Sequence, residues 1–248
     1  MSTISFISID DEGGRWTARA FDHRGTVVET AQAPLDAAPP LQATGVTRLW
    51  ATTGPDAPAP RALPAKPLSV TQGHISALTQ ANPPERIHPV EAARIAGLLA
   101  VQPNFDGVIW LAGPTSLWAH VSAEEIVSVT RAASYATLSG LGIVPTDGAA
   151  FSESCATCLS RPERMLRMLA NAAQGFEGAD AASGAILGAE LAAARPWWLG
   201  QRVIVLDHPR APGWATLCAA ALEAQGVPLT LGSGEAALHA GLARASAL

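Results

Sequence analysis

Asp10-Asp11-Glu12-Gly13-Gly14 sets three carboxylates and a glycine pair at the end of an apolar, β-branched run. A carboxylate in that place can hold a hydrated magnesium ion while the glycine turn faces a phosphate. The same residues also build an ordinary solvated hairpin tip. A second stretch, Asp106–Trp118 (DGVIWLAGPTSLW), has a related form. Val108–Ala112 reads as a strand buried on both faces, and it stops at Gly113-Pro114-Thr115-Ser116. Small residues in such a turn let backbone N–H groups approach an anion, although a plain hairpin uses the same residues. Gly232-Ser233-Gly234 precedes a final helix whose N-terminus could face a nucleotide phosphate. It mimics the dinucleotide fingerprint, but the chain ends too soon for the βαβ unit and the later acidic residue.

Two further groups have plainer readings. Cys155 and Cys158 form a C-x-x-C, yet no second pair accompanies it and Cys218 stands alone. Two small thiols on one helix face account for the spacing more simply than metal or redox chemistry. Asp207-His208 closes a strand, where a loop carboxylate beside an exposed imidazole is the common outcome.

The elements that must position these residues are legible as alternating strands and helices. Thr3–Ile9, Trp16–Phe21 and Thr26–Glu29 read as a β-meander with turns at Gly13-Gly14 and His23-Arg24-Gly25. Residues 32–85 hold many of the 19 prolines. Thr47–Ala51 reads as a strand there, Pro55–Pro67 can be neither helix nor central strand, and the rest reads as a surface loop. Pro89–Ala100 is a helix with an apolar face from Val90 to Leu99, and Glu91 and Arg94 are spaced to pair on its surface. Leu117–His120 is a strand. Ser122 and Glu125 fit a capping box, but the β-branched Ile126–Thr130 favours a strand, with a helix from about Ala132. A helix capped by Ser160 is expected to run to about Gln174, and another covers Ala179–Ala194, where Gly184 and Gly188 admit a close neighbour. Strand Arg202–Leu206, helix Trp214–Gln225, strand Pro228–Leu231 and helix Gly234–Ala247 complete an α/β pattern.

At 248 residues, 48% hydrophobic and 15% charged, the chain can bury a substantial core. A net charge of −5 without a Lys/Arg cluster argues against nucleic-acid binding. No segment reaches the roughly 18 apolar residues of a spanning helix, and MSTISFISIDDEGG lacks the basic start of a secretory signal. The expectation is a soluble cytoplasmic protein.

Four of these stretches carry a resemblance. Ala182–Ala194 (ASGAILGAELAAA) with Arg195-Pro196, the closing Gly234-Glu235-Ala236 and Gly241-Leu242, the gapless Ile7–Gly25 hairpin, and WLAGPTSLW after the Pro84–Gly97 helix are together similar to the 2-dehydro-3-deoxygalactonokinase family. These are sugar-acid kinases of the actin-like ATPase superfamily. The resemblance implies an α/β protein of two ribonuclease H-like lobes, reduced in size, roughly 1–101 and 102–248, with a cleft between them. The final helix would cross back to the first lobe. It further implies ATP and Mg2+, with Asp10 in magnesium or base work. Gly13, Gly14, Gly113, Thr115, Ser116, Gly232 and Gly234 would bind the nucleotide, and Glu91 and Trp118 the sugar acid. The γ-phosphoryl group would pass to a hydroxyl of 2-dehydro-3-deoxygalactonate. The implied partners are small molecules, a sugar acid and a nucleotide, with no nucleic acid or membrane; a homodimer stays open.

The chain also departs from the family pattern. Asp-Trp-Gly-Thr-Thr of the first hairpin is here Asp10-Asp11-Glu12-Gly13-Gly14, and Glu12 adds repulsion where a phosphate would lie. In the second hairpin, Gly-Thr-His-Ser-Lys-Trp in the family, the His falls on Thr115 and the Lys on Leu117. The carboxylate of the family's Thr-Gly-Glu falls on Ala136, within Ser134-Tyr135-Ala136. Lost cations deprive phosphoryl transfer of charge stabilisation. Two readings therefore stand: a working kinase, or a non-catalytic relative serving as a binding or regulatory module.

Overall fold

The computed structural model describes residues 3–41 and 43–248. Their contacts form two units, Met1–Phe105 with Ser122–Ser128 and Glu235–Leu248, and Asp106–Val121 with Val129–Gly234. A single cut after residue 101 would part the C-terminal helix from the sheet and helix it covers, so chain order and compact units do not coincide. No helix among the described residues is long and apolar enough to cross a membrane.

In the first unit β1 (Ile4–Asp10), β2 (Arg15–Asp22), β3 (Val27–Pro34) and β4 (Thr47–Ala51) build the main sheet. β1 runs antiparallel to β2 and parallel to β4. It is buried from Phe6 to Asp10 because it lies mid-sheet with both faces covered. Residues 52–85, expected to be a surface loop, carry five short strands, the last running on to Ile87. These are β5 (Arg61–Ala62), β6 (Val70–Thr71), β7 (His74–Ile75), β8 (Leu78–Gln80) and β9 (Glu85–Ile87). β7 and β6 extend the main sheet in the order β3-β2-β1-β4-β7-β6, and β5-β8-β9 form a small separate sheet. The proline-rich stretch supplies β5 at an edge, where missing N–H donors do least harm.

Helix α1 (Pro89–Val101) begins at His88, which accepts from Val90 N, while the Glu91 carboxylate accepts from His88 N at 2.9 Å. Phe6, Phe21, Leu49 and Ile75 of the sheet meet Val90 and Ala93 of α1 and Leu238, Leu242 and Ala245 of the C-terminal helix. The two helices cross at glycines. A Cβ on Gly97 would lie 1.8 Å from the Ala237 carbonyl oxygen, and one on Gly241 1.9 Å from that of Ala93. Both obstacles are backbone, so Gly97→Ala must push the helices apart. It is expected to cost about 1–3 kcal/mol, read as a lower urea midpoint with unchanged slope.

β10 (Gly107–Leu111), β11 (Ser116–Ser122), β12 (Glu125–Ala132), β13 (Val203–Leu206) and β14 (Leu229–Gly232) form a second sheet in the order β12-β11-β10-β13-β14. β10 is antiparallel to β11 and parallel to β13, which is parallel to β14. This repeats the pairing of β1 in the first unit, and each sheet has the ribonuclease H-like order. The 122–138 conflict resolves as strand β12 and then α2 (Ser134–Gly140).

Helix α3 (Phe151–Ser160) was not anticipated at full length, because Ser160 reads as the cap of the next helix. Phe151, Cys155 and Cys158 form one buried face that carries α3 through Ser160. Pro162 then opens a short 3-10 turn before α4 (Met165–Ala173). Helix α5 (Ala179–Ala193) packs on α3 through the expected glycines: a Cβ on Gly184 would lie 2.1 Å from the Phe151 oxygen. The one-turn α6 (Arg195–Trp198), α7 (Trp214–Glu223) and α8 (Gly234–Ala245) complete the chain.

Candidate functional site

The first hairpin turns through Asp11–Gly14, with φ of +81° at Gly13 and +74° at Gly14. Those angles alone call for glycine there, and both residues are exposed. Each acidic residue of the turn is closed on a basic side chain of its own unit. Asp10, at the end of β1, is 2% exposed and ion-pairs with Arg19. The pairing of Asp10 with Thr17 and of Ser8 with Arg19 sets the two side chains diagonally on one sheet face. Its other oxygen accepts the Glu12 N–H at 3.2 Å. Burial pushes the Asp10 carboxyl up, and Arg19 only partly offsets this.

Asp11 contacts His88 Nε2 at 2.9 Å and accepts the Thr53 N–H and hydroxyl at 3.2 and 3.3 Å. Burial raises its carboxyl, but hydrogen bonds from His88 and Thr53 outweigh that and hold it below the usual range. Glu12 takes a two-pronged contact from Arg94, at 2.6 and 2.8 Å. Arg94 is 2% exposed. Burial works against its charge, and the bonds from Glu12 overcome that penalty. The surface pair of Glu91 with Arg94 expected from spacing is therefore corrected: Glu91 closes the capping box of α1, and Arg94 turns inward to Glu12.

In the second unit Gly113 is buried against His208, whose Cδ2 would lie 3.2 Å from a Cβ at that position. His208 is itself 7% exposed and accepts the Arg210 N–H through Nδ1 at 3.0 Å, so it is not the exposed loop imidazole that the sequence suggests. Thr115 is exposed and its hydroxyl accepts from Arg131 at 3.2 Å. Ser116 and Trp118 are buried in β11. Trp118 stacks on Trp110 with centroids 4.0 Å apart, and its Nε1 donates to Glu190 at 2.9 Å. Its ring belongs to the core and offers no surface to a sugar acid. Leu117, where the family's lysine falls, is likewise fully buried.

Glu190 of α5 is a charged-type residue that the sequence reading passed over inside an apolar helix. It accepts from Trp118 and from the Ser134 hydroxyl, with Ser116 and Trp110 lying against it. A carboxylate thus does meet the start of α2, but it arrives from α5 and is sealed from solvent.

Gly232 ends β14 and Gly234 starts α8. The Gly234 N–H donates to the Asp207 carboxylate at 2.7 Å, and a Cβ there would lie 2.0 Å from the Asp207 carbonyl oxygen. An acid of the protein thus occupies the amide that would meet a phosphate. No group of three or more His, Cys, Asp or Glu able to hold a metal occurs among the described residues. Burial pushes the Cys155 thiol up to about 11, so Cys155 stays a neutral core residue at physiological pH.

The comparisons with known proteins fit this frame. The family model described as 2-keto-3-deoxy-galactonokinase matches residues 88–245. No curated protein matches the sequence. A Sinorhizobium meliloti protein that carries the name 2-dehydro-3-deoxygalactonokinase has a similar structure, with a TM-score of 0.79 at 16% identity, over 97% of this chain and 98% of that one. The activator of the 2-hydroxyisocaproyl-CoA dehydratase from Clostridium difficile is more distant, with a TM-score of 0.52 at 10% identity, over 98% of this chain and 96% of that one. At these identities the likeness is one of fold. The match over 88–245 spans well over half of the sequence, and the chain belongs to the 2-keto-3-deoxy-galactonokinase family.

Proposed function

We propose that this chain keeps the family fold as a non-catalytic ligand-binding or regulatory module and does not transfer phosphoryl groups. The closure of Asp10, Asp11 and Glu12 on Arg19, His88 and Arg94 carries this reading. ATP and Mg2+ are the cofactors that the family implies, and the residues of the hairpins do not fit them. Asp10 is 2% exposed and spends a hydrogen bond of each oxygen within the protein, on Arg19 and on the Glu12 N–H, so it is turned away from a hydrated magnesium in solvent. Asp11 and Glu12 bring negative charge to a turn that should meet phosphate, and their partners His88 and Arg94 are turned onto them rather than outward. Residues 113–118 supply no Lys, Arg or His, and Asp207 stands at the start of α8. A reaction that depends on positioning and charge stabilisation loses both.

One observation favours the alternative, ATP-dependent phosphorylation of a 2-dehydro-3-deoxy sugar acid: the family match over 88–245, with Gly113 and Ser116 in the family's places. Thermal shift with ATP and Mg2+, run beside a phosphorylation assay on 2-dehydro-3-deoxygalactonate, decides between them. The expected result is an unmoved midpoint at millimolar nucleotide and no phosphorylated product. A site filled at 100 times its Kd would add about 2.7 kcal/mol of stability. Such a shift together with product would establish the kinase instead.

A further inference from the structure

The stretch CATCLSRPERMLRM, residues 155–168, holds four of the chain's six sulfur atoms, those of Cys155, Cys158, Met165 and Met168. Spacing alone assigns the two thiols to packing on one helix face, and the structure brings them a partner from a second helix. Cys155 and Cys158 lie on the buried face of α3. The turn through Pro162–Arg164 leads into α4, where the Met168 thioether accepts from the Cys158 thiol at an S–S distance of 3.6 Å. A thioether lies outside the His, Cys, Asp and Glu donors that form no metal cluster here. Cys158 is fully buried and Met168 half-buried, so the sulfurs are dry while one flexible side chain stands at the surface as the way in. A second observation points to a cation. Glu177 has its Oε2 buried without a partner, while Oε1 accepts from Asn171 Nδ2 at 3.0 Å. Burial pushes the Cys158 thiol up, Arg164 opposes this, and Glu163 and Glu177 add to it. A positive ion among the sulfurs answers those acids and replaces the proton that burial keeps on the thiol.

We propose that Cys155, Cys158 and Met168 bind one Cu+ ion in a three-sulfur site between α3 and α4. Thiolate and thioether ligands are soft and select Cu+ over the hard cations that carboxylates hold. Metal–sulfur bonds of about 2.3 Å, the zinc–thiolate length, set three sulfurs about 4 Å apart around a central ion. Cys158 and Met168 therefore part by only a few tenths of an ångström to admit it. The ion takes the place of the two thiol protons, which leave to solvent, and no electron is transferred. This inference goes beyond the proposed function, because the site lies on helices that neither nucleotide nor sugar acid is proposed to touch.

Anaerobic titration of the reduced full chain with Cu+ held by bicinchoninate tests it. The chain is expected to draw one equivalent of copper from the chelator, releasing one proton from each thiol and gaining a near-ultraviolet thiolate-to-copper band. Cys158→Ala is expected to abolish the transfer. Met168→Leu conserves volume and apolar character, so its unfolding midpoint without copper is expected to stay near that of the parent. The same variant is expected to hold Cu+ at least about tenfold more weakly, the loss that even an outer-shell partner of a ligand brings. No transfer from the chelator, or unaltered affinity in Met168→Leu, would overturn the proposal. Full transfer to Cys158→Ala would overturn it as well, by assigning the copper to other sulfurs. None of these outcomes bears on whether ATP is turned over, so the two readings fail separately.

Discussion

Glu12→Ala is expected to destabilise the protein by about 3 kcal/mol or more, a large loss for a residue in an exposed-looking turn. The cost comes from its partner. Arg94 is 2% exposed, and removing Glu12 leaves a guanidinium buried without the two hydrogen bonds that hold its charge. Breaking a buried pair from one side costs about 3–5 kcal/mol. The lower end applies because Asp10 and Glu91 also act on Arg94. Arg94→Leu on the Glu12→Ala background removes the orphaned charge, so the double variant is expected to recover most of the loss. Urea unfolding of the four members of the cycle measures this. Equal midpoints for parent and Glu12→Ala would show that Glu12 is a solvated tip residue, and the occupied-hairpin reading would fall with it.

That outcome bears directly on function. Phosphate-gripping hairpins work by leaving backbone amides and cations unengaged until the ligand arrives. Here the first hairpin meets Arg19, His88 and Arg94 with its own acids, and α8 meets Asp207. Asp11 and Glu12, which depart from the family pattern, are both closed within the protein. On the proposed reading, acids held by partners within the protein support a stable turn and are not available to a ligand.

The regular parts of the fold were legible because periodicity and burial agree in them. Val108–Ala112 reads as a doubly buried strand, and Gly107–Leu111 is one. Thr47–Ala51 and Ala179–Ala193 lie within a residue of their expected ends. The segment 52–87 was not legible, since strands of two or three residues leave no period to detect and are held by neighbours distant in sequence. The hairpin residues were legible as places in the fold but not as partners. Asp10 could be placed at a strand end, whereas its pairing with Arg19 depends on the β1–β2 register. Arg94 carries a signal in retrospect: it sits in a helix whose neighbours on every side are buried, so a cation there needs an acid. Glu190 gives the same signal inside ASGAILGAELAAA.

Glu190→Ala is expected to cost about 3–5 kcal/mol, while Glu190→Gln is expected to be tolerated and to gain on the parent as pH rises. Alanine leaves the Trp118 N–H and the Ser134 hydroxyl without an acceptor and opens a void beside the stacked tryptophans. Glutamine keeps the shape, accepting from Trp118 and donating to Ser134. Burial pushes the Glu190 carboxyl above its ordinary 4.5, and the bonds from Ser134 and Trp118 pull it back only in part. The folded chain therefore keeps this proton to higher pH than the unfolded chain does. Stability contributed by the group is complete below 4.5 and is lost as pH climbs through the raised folded value. Glutamine has no proton to lose, so its advantage over the parent widens across that window. Cys218, the neighbouring thiol, is pushed well above its ordinary range by burial and stays neutral throughout. Urea midpoints of the three proteins at acid and mildly alkaline pH read both effects. A Glu190→Gln advantage that does not grow with pH would mean that the acid is ionised in the core, held by the hydrogen bonds of Trp118 and Ser134 strongly enough to outweigh desolvation.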